Sequence, residues 1–206
     1  MKSFLARQLA LPHGWFGRLF GARLLNIANK VDNQATMQQL NIQFHDYVLD
    51  IGFGGGTGLR AAWRQANQGF VAGIDPSQAM IDQAQRLFSA QIAAGQVEIK
   101  RGSAEAIPYA ESHFDKVFTV NTIYFWPDTV ASFEEIWRVL KPEGRLCITI
   151  IKPEVLRRLD FDKHGFTPYE PQEVSTQVEA AAFKDVAIQD YSDQLPKPVV
   201  CITASK

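Results

Sequence analysis

From Tyr47 onward the sequence alternates short apolar, β-rich runs with longer stretches of helical periodicity, and this alternation dictates a parallel sheet built from βαβ units. The first five runs fall at residues 47–51, 70–74, 97–100, 116–120 and 145–151. Between the second and third, Ile81, Ala84, Leu87, Phe88 and Ile92 recur at helical spacing, with Ser77 placed to cap the start and Gly95 just past the end. Between the fourth and fifth, Phe133, Ile136, Trp137 and Leu140 form another apolar stripe, closed by the turn-forming KPEGR. A mixed stretch with Phe161, Phe166 and Tyr169 follows, then a helix ending near Phe183, then β runs at 186–188 and 199–203. The connection holding Pro196 and Pro198 is too short for a crossover helix, so the last two runs should pair antiparallel. The expected fold is α/β: a doubly wound, mostly parallel, seven-stranded sheet with an antiparallel last strand.

Ahead of this core, Phe20, Leu24, Ile27, Ala28 and Val31 carry helical spacing and predict a helical N-terminal segment. The 206 residues, 46% of them hydrophobic, suffice for one substantial core. The expected organisation is a single domain over 1–206, with 1–45 as a helical lid or cap and 46–206 as the α/β core. Trp15, Phe16 and Phe20 give the segment an apolar surface that could cover a ligand, fill the core or meet a second copy, while Gly14, Gly17 and Gly21 lower its helix propensity. Arg7, His13, Arg18 and Arg23 interrupt its apolar runs before they reach signal-peptide or membrane-span length, which predicts a cytoplasmic protein with no membrane partner. A net charge of −1 supplies no broad basic surface for nucleic acid. Cys147 and Cys201 lie inside β runs and read as buried thiols of a reduced protein, with no metal site expected.

The stretch VLDIGFGGGTGL, 48–59, places five glycines behind the first β run, which ends in Asp50. In an open parallel sheet, ligands bind outside the carboxyl ends of the strands where strand order reverses. Glycines there let the backbone approach a ligand, and the amides opening the next helix favour an anionic group. Asp75 closes the second run, about twenty residues beyond the loop, as expected of an acid that binds ribose hydroxyls. The dinucleotide pattern G-x-G-x-x-G is absent: its last glycine falls on Thr57 counting from Gly52, or on Leu59 counting from Gly54.

What stands instead is Asp50-x-Gly52-x-Gly54-x-Gly56, which resembles the first motif of the class I S-adenosylmethionine-dependent methyltransferases. GIDPSQAMI resembles their ribose-binding motif, GSAEAIPY the segment holding the adenine, FDKVFTVNTIYFW the strand beside the methyl donor, and RVLKPEGRLCITI the helix-turn-strand that follows. The resemblance spans 48–206 and implies a Rossmann-like methyltransferase fold with S-adenosylmethionine as cofactor. It implies that Asp50 and the backbone of Gly52, Gly54 and Gly56 lie against the methionine part, and that Asp75 accepts both ribose hydroxyls. It further implies that Ser77 and Met80 flank the ribose and adenine, and that Asn121 lies beside the transferring methyl group. Many relatives have aspartate where this chain has Ser103, so the serine oxygen and the Ala104 amide are left to read the adenine edge.

The implied reaction is methyl transfer to a small-molecule acceptor by in-line displacement. The sulfonium is already an activated leaving group, so alignment can carry the catalysis, contributing up to roughly 7–11 kcal/mol in ideal cases. If the acceptor must lose a proton, the candidate bases are His13, Tyr124, His164 and Tyr169, none singled out by spacing. Asn121 and Tyr124 share positions with the N-P-P-Y motif of base-methylating enzymes, but both prolines are missing. Tyr124, Phe125 and Trp126 are expected to wall an acceptor pocket between the sheet edge, the N-terminal segment and the aromatic stretch 161–169. Two other classes stay open at this point: a non-catalytic cofactor-binding or regulatory module, and a nicotinamide-dependent oxidoreductase. The acceptor and the oligomeric state are not encoded in any motif.

Overall fold

Neighbouring residues of the central strands bury their side chains in different cores, which is why these strands read as continuous apolar runs rather than alternating ones. The computed structural model describes residues 29–193 and 198–206. In chain order the elements are α1 (Lys30–Leu40), β1 (Tyr47–Ile51), α2 (Thr57–Gln65), β2 (Phe70–Asp75), α3 (Gln78–Leu87), α4 (Ser89–Ala93), β3 (Val97–Arg101), β4 (Phe114–Val120), α5 (Thr129–Val139), β5 (Leu140–Ile151), α6 (Pro153–Arg158), α7 (Pro171–Ala180), β6 (Lys184–Asp190) and β7 (Val199–Ser205). Val48, Val71, Phe118, Cys147 and Cys201 face a layer that contains α1, α2 and α3. Leu49, Ala72, Val117, Leu146 and Ile202 face the opposite layer, with side chains from α5, α6 and α7.

The strands form one seven-stranded sheet in the order β3-β2-β1-β4-β5-β7-β6. Pairings among β1 to β5 are parallel, whereas β7 runs antiparallel to both β5 and β6, as its short connection requires. Strand order reverses at β1, so the carboxyl ends of β1, β2 and β4 gather at one edge of the sheet. Both cysteines are buried as free thiols. No helix among the described residues is long and apolar enough to cross a membrane.

Two sequence expectations need correction, and a third falls mostly outside the described residues. The single helix expected through Ile92 is two helices, α3 and α4, broken at Phe88. At the break the buried Phe88 ring lies beneath the glycine loop, 3.3 Å from where a Cβ on Gly56 would sit. The stretch KPEG is absorbed into β5, where a register shift and a left-handed Glu143 (φ 66°) make the turn without ending the strand. The apolar N-terminal stripe is met only at Val31, which is half-buried; Phe20, Leu24, Ile27, Ala28, the aromatic Trp15 and Phe16, and His13 lie outside the described residues, as do 194–197 with Pro196.

What α1 buries is polar: Asp32, Asn33 and Thr36 beside Ala35, Met37 and Leu40. Buried polar groups need partners, and these have them. The Thr36 hydroxyl lies 2.7 Å from both the Asp32 carbonyl and the Thr149 hydroxyl of β5. The Thr149 hydroxyl in turn lies 3.3 Å from the Cys201 thiol of β7. This chain of polar contacts fixes the start of α1 over the sheet edge where the strand ends gather.

Candidate cofactor site

At that edge lies a cavity of about 480 Å³ whose floor is the loop between β1 and α2. Gly52, Gly54 and Gly56 all have positive φ (72°, 50° and 83°), a conformation that L side chains rarely adopt. Gly52 also has no room for a side chain, because a Cβ would fall 2.5 Å from Thr122 Cγ2. The resulting elbow exposes bare backbone to the cavity.

The Asp75 carboxylate turns toward this elbow. Its Oδ2 accepts from the Gly54 amide at 3.0 Å and its Oδ1 from the Ser77 amide at 2.8 Å. A carboxylate offers about four acceptor positions, so lone pairs remain for hydroxyl donors from a ligand. Burial raises the Asp75 carboxyl above its ordinary value of 3.8, against the pull of the two amides. Asp50 is raised further, first by burial and then by the charge of Asp75, with the Leu59 amide opposing.

A raised carboxyl retains its proton in the folded chain at pH values where the unfolded chain has lost it. Its contribution to stability is therefore fullest below the ordinary carboxylate range and fades as pH rises through the folded value. The amide side chain introduced by Asp75→Asn can accept from only one of the Gly54 and Ser77 amides, which costs stability at every pH, but the stability of this variant relative to the parent, without ligand, should rise from pH 5 to pH 8. Urea titrations at the two pH values check this, and a relative stability that falls toward pH 8 contradicts it.

Of the residues expected at the site, the structure lines the cavity with Asp50, Gly52, Gly54, Asp75, Met80, Ser103, Ala104 and Asn121. Gly56 instead opens α2 beside Phe88, and Ser77 stands behind Asp75 as an amide donor whose side chain makes no cap. Glu105, which the sequence reading passed over, also lines the cavity, with Oε1 buried and without a hydrogen-bond partner among the described residues.

Asn121 is held from three sides in a left-handed conformation (φ 58°). Its Nδ2 donates to the Asp32 carboxylate and, at 3.1 Å, to Asn29 Oδ1; its Oδ1 accepts from the Tyr124 hydroxyl at 3.1 Å. Both amide protons are therefore committed to the start of α1, and only acceptor capacity remains for a ligand. Tyr124 is buried, and its hydroxyl also accepts from the Ile151 amide at 2.6 Å. Burial holds its pKa well above the ordinary phenol value. This expected base is thus a brace behind the cavity wall, while Phe125 and Trp126 form that wall. Tyr169, its pKa raised by burial, and His164, in a short turn at Asp162–His164, do not line the cavity; His13 lies outside the described residues.

Sequence reasoning missed Asn29, Asn33 and Gly58, which complete the floor. Their signal was present as a polar face on a predicted helix and as the fifth glycine of the loop. A cavity with an acid facing a bare elbow, apolar walls and further carboxylates fits a cationic nucleoside. Asp50, Asp75 and the elbow would hold it.

The comparisons with known proteins agree. Residues 49–148 match the family model described as "Methyltransferase domain". The chain is 33% identical over 178 residues to the uncharacterized methyltransferase YdaC of Bacillus subtilis (strain 168), covering 86% of this chain and 93% of that one. It is 33% identical over 121 residues to a demethylmenaquinone methyltransferase of Lactiplantibacillus plantarum, covering 58% of this chain and 51% of the relative. The crystal structure of a SAM-dependent methyltransferase from Aquifex aeolicus superposes with a TM-score of 0.72, covering 89% of this chain and 96% of that one; at 21% identity this likeness speaks to the fold. With a relative matched over nearly its whole length, the chain belongs to the class I S-adenosylmethionine-dependent methyltransferases.

Proposed function

We propose that the protein transfers a methyl group from S-adenosylmethionine to a small, uncharged and largely apolar acceptor. The observation that carries this reading is the composition of the cavity. Beyond Asn121 its wall is Phe125, Trp126 and Pro127, and the charged side chains among the described lining residues, Asp50, Asp75 and Glu105, are all acidic. An anionic acceptor would meet repulsion there, whereas a planar apolar molecule gains aromatic contact. The demethylmenaquinone methyltransferase among the relatives supports this direction.

S-adenosylmethionine supplies an already activated methyl group. The chain's residues then have to orient and desolvate. Asp75 anchors the ribose, Asp50 and the elbow receive the methionine end, and Asn121, braced by Tyr124 and Asp32, fixes the wall beside the acceptor. The aromatic wall excludes water, and alignment replaces an obligatory base.

A screen of neutral phenols, quinols, thiols and amines, each paired with a carboxylate analogue, tests the proposal by production of S-adenosylhomocysteine. Turnover is expected with neutral members of the set. Turnover confined to the carboxylate analogues, or to a protein or nucleic-acid acceptor, overturns it.

A further inference from the structure

The sheet ends in two edge strands of different character, and an exposed edge offers unpaired backbone groups to another strand. β6 is blunted: its register with β7 shifts between Lys184 and Ala187, and Asp185 is left-handed (φ 51°). β3 is not. It runs in unbroken register from Val97 to Arg101 beside β2, its one strand neighbour among the described residues. The Gln96 carbonyl accepts from the Val71 amide at 3.0 Å and the Gly102 amide donates to the Asp75 carbonyl at 3.3 Å, so the even-numbered residues of this stretch bond inward to β2. Backbone direction alternates along a strand, which turns the amides and carbonyls of Val97, Ile99 and Arg101 outward.

An antiparallel partner strand must bond to these three residues, and the sequence of β3, VEIKR, decides which partner fits. A second copy related by a two-fold axis through Ile99 pairs Ile99 with Ile99 and Val97 with Arg101, each pair exchanging two backbone hydrogen bonds. In that register Glu98 stands opposite Lys100 of the other copy, at the non-hydrogen-bonded positions where side chains approach most closely. Both side chains are part-exposed (43% and 37%) and lie on one face, where Lys100 Nζ sits 4.0 Å from the centroid of the Tyr109 ring. Within one chain they already pair at 2.9 Å, and across the axis each gains a second opposite charge. Moving the axis by one residue sets Glu98 against Glu98 or Lys100 against Lys100, so the charges select a single register. Charges that only guarded the edge would carry one sign and repel their own copies.

We propose that β3 is a homodimer interface, in which two copies join edge to edge about Ile99 and make one sheet continuous through both. The five-residue edge is smaller than a standard interface, so association is weak and depends on concentration. The proposal is independent of what the cavity binds.

Sedimentation velocity from about 1 μM to 1 mM, the range of Kd open to a contact of this size, follows the association. The parent should pass from monomer to dimer across it. Lys100→Glu or Glu98→Lys alone sets like charges opposite one another on both sides of the axis and should weaken the dimer by about tenfold or more. The two changes combined in one chain restore opposite charges and should bring the dimer back to within about threefold of the parent. Thermal unfolding close to the parent's shows that a single variant has lost association and kept its fold. Amide hydrogen exchange then locates the contact: Val97, Ile99 and Arg101 should gain protection as concentration rises, while Glu98 and Lys100, whose amides point to β2, should not change. A parent that stays monomeric at every concentration overturns the proposal. So does a dimer indifferent to the charge reversals, which places the contact on another face, and so does protection of the three amides only when a different protein is added, which gives the edge to a heterologous strand.

Discussion

Asp75→Ala should weaken S-adenosylmethionine binding by about 2–3 kcal/mol, roughly 30- to 150-fold in Kd, because a charged acceptor of two hydroxyl bonds is lost. The variant should still fold. Removing a buried carboxylate relieves its repulsion with Asp50, and this offsets the acceptor taken from the Gly54 and Ser77 amides. The expected signature is therefore a large change in affinity with a small change in unfolding midpoint. Calorimetric titration beside thermal unfolding separates the two. Unchanged affinity would remove Asp75 from the site, and collapse of the fold would show that its role is to hold the elbow together.

Gly58→Ala should be damaging even though it places alanine in a helix. In an unconstrained helix interior this exchange stabilises by about 0.5–1 kcal/mol. Here the added carbon would fall 2.6 Å from Asp50 Oδ2, 2.7 Å from Asn33 Oδ1 and 2.9 Å from Phe118 Cε2. Neither the buried Asp50 nor the fully buried Phe118 has space to retreat. Overpacking of this kind costs typically 1–3 kcal/mol, and because Gly58, Asp50 and Asn33 all line the cavity, an affinity loss of about tenfold or more should accompany it. Gly95→Ala is the control: nothing lies within 4 Å of its Cβ, so its positive φ of 69° strains the chain without touching the cavity. Its denaturation midpoint should fall while its affinity for S-adenosylmethionine stays that of the parent. A Gly58→Ala protein with parental stability and affinity would show that the floor is softer than the packing implies.

The parts of the site that were legible in the sequence are those written in a single strand-loop-helix unit. Asp50, the glycines and Asp75 could be read because a bare loop and an acid at consecutive strand ends must face one another once the sheet is parallel. The central strands could be read because burial on both faces makes them apolar runs, whereas the exposed edge strand β6 showed only its short apolar middle at 186–188. Contacts between distant segments could not be read. Asp32 and Asn33 look like solvent-facing helix residues until β4 and β5 deliver Asn121 and Thr149 to meet that helix. Tyr124 shows the complementary failure. Its neighbourhood advertised chemistry, yet the Ile151 amide and Asn121 claim its hydroxyl from the protein side. Gly58 looked like one more flexible link, but its role is to leave space for two oxygens.

The central claim is that Asp75 and the glycine elbow grip the ribose of the cofactor from the sheet edge. Its most direct test is a cycle of four titrations: S-adenosylhomocysteine and its 2′,3′-dideoxy analogue, each against the parent protein and Asp75→Ala. The parent should prefer the hydroxylated ligand by about 30-fold or more, the discrimination a buried hydrogen-bonding acid confers. The variant should bind the two ligands nearly equally. A preference of the same size in both proteins would place the ribose hydroxyls on some other group and contradict the account.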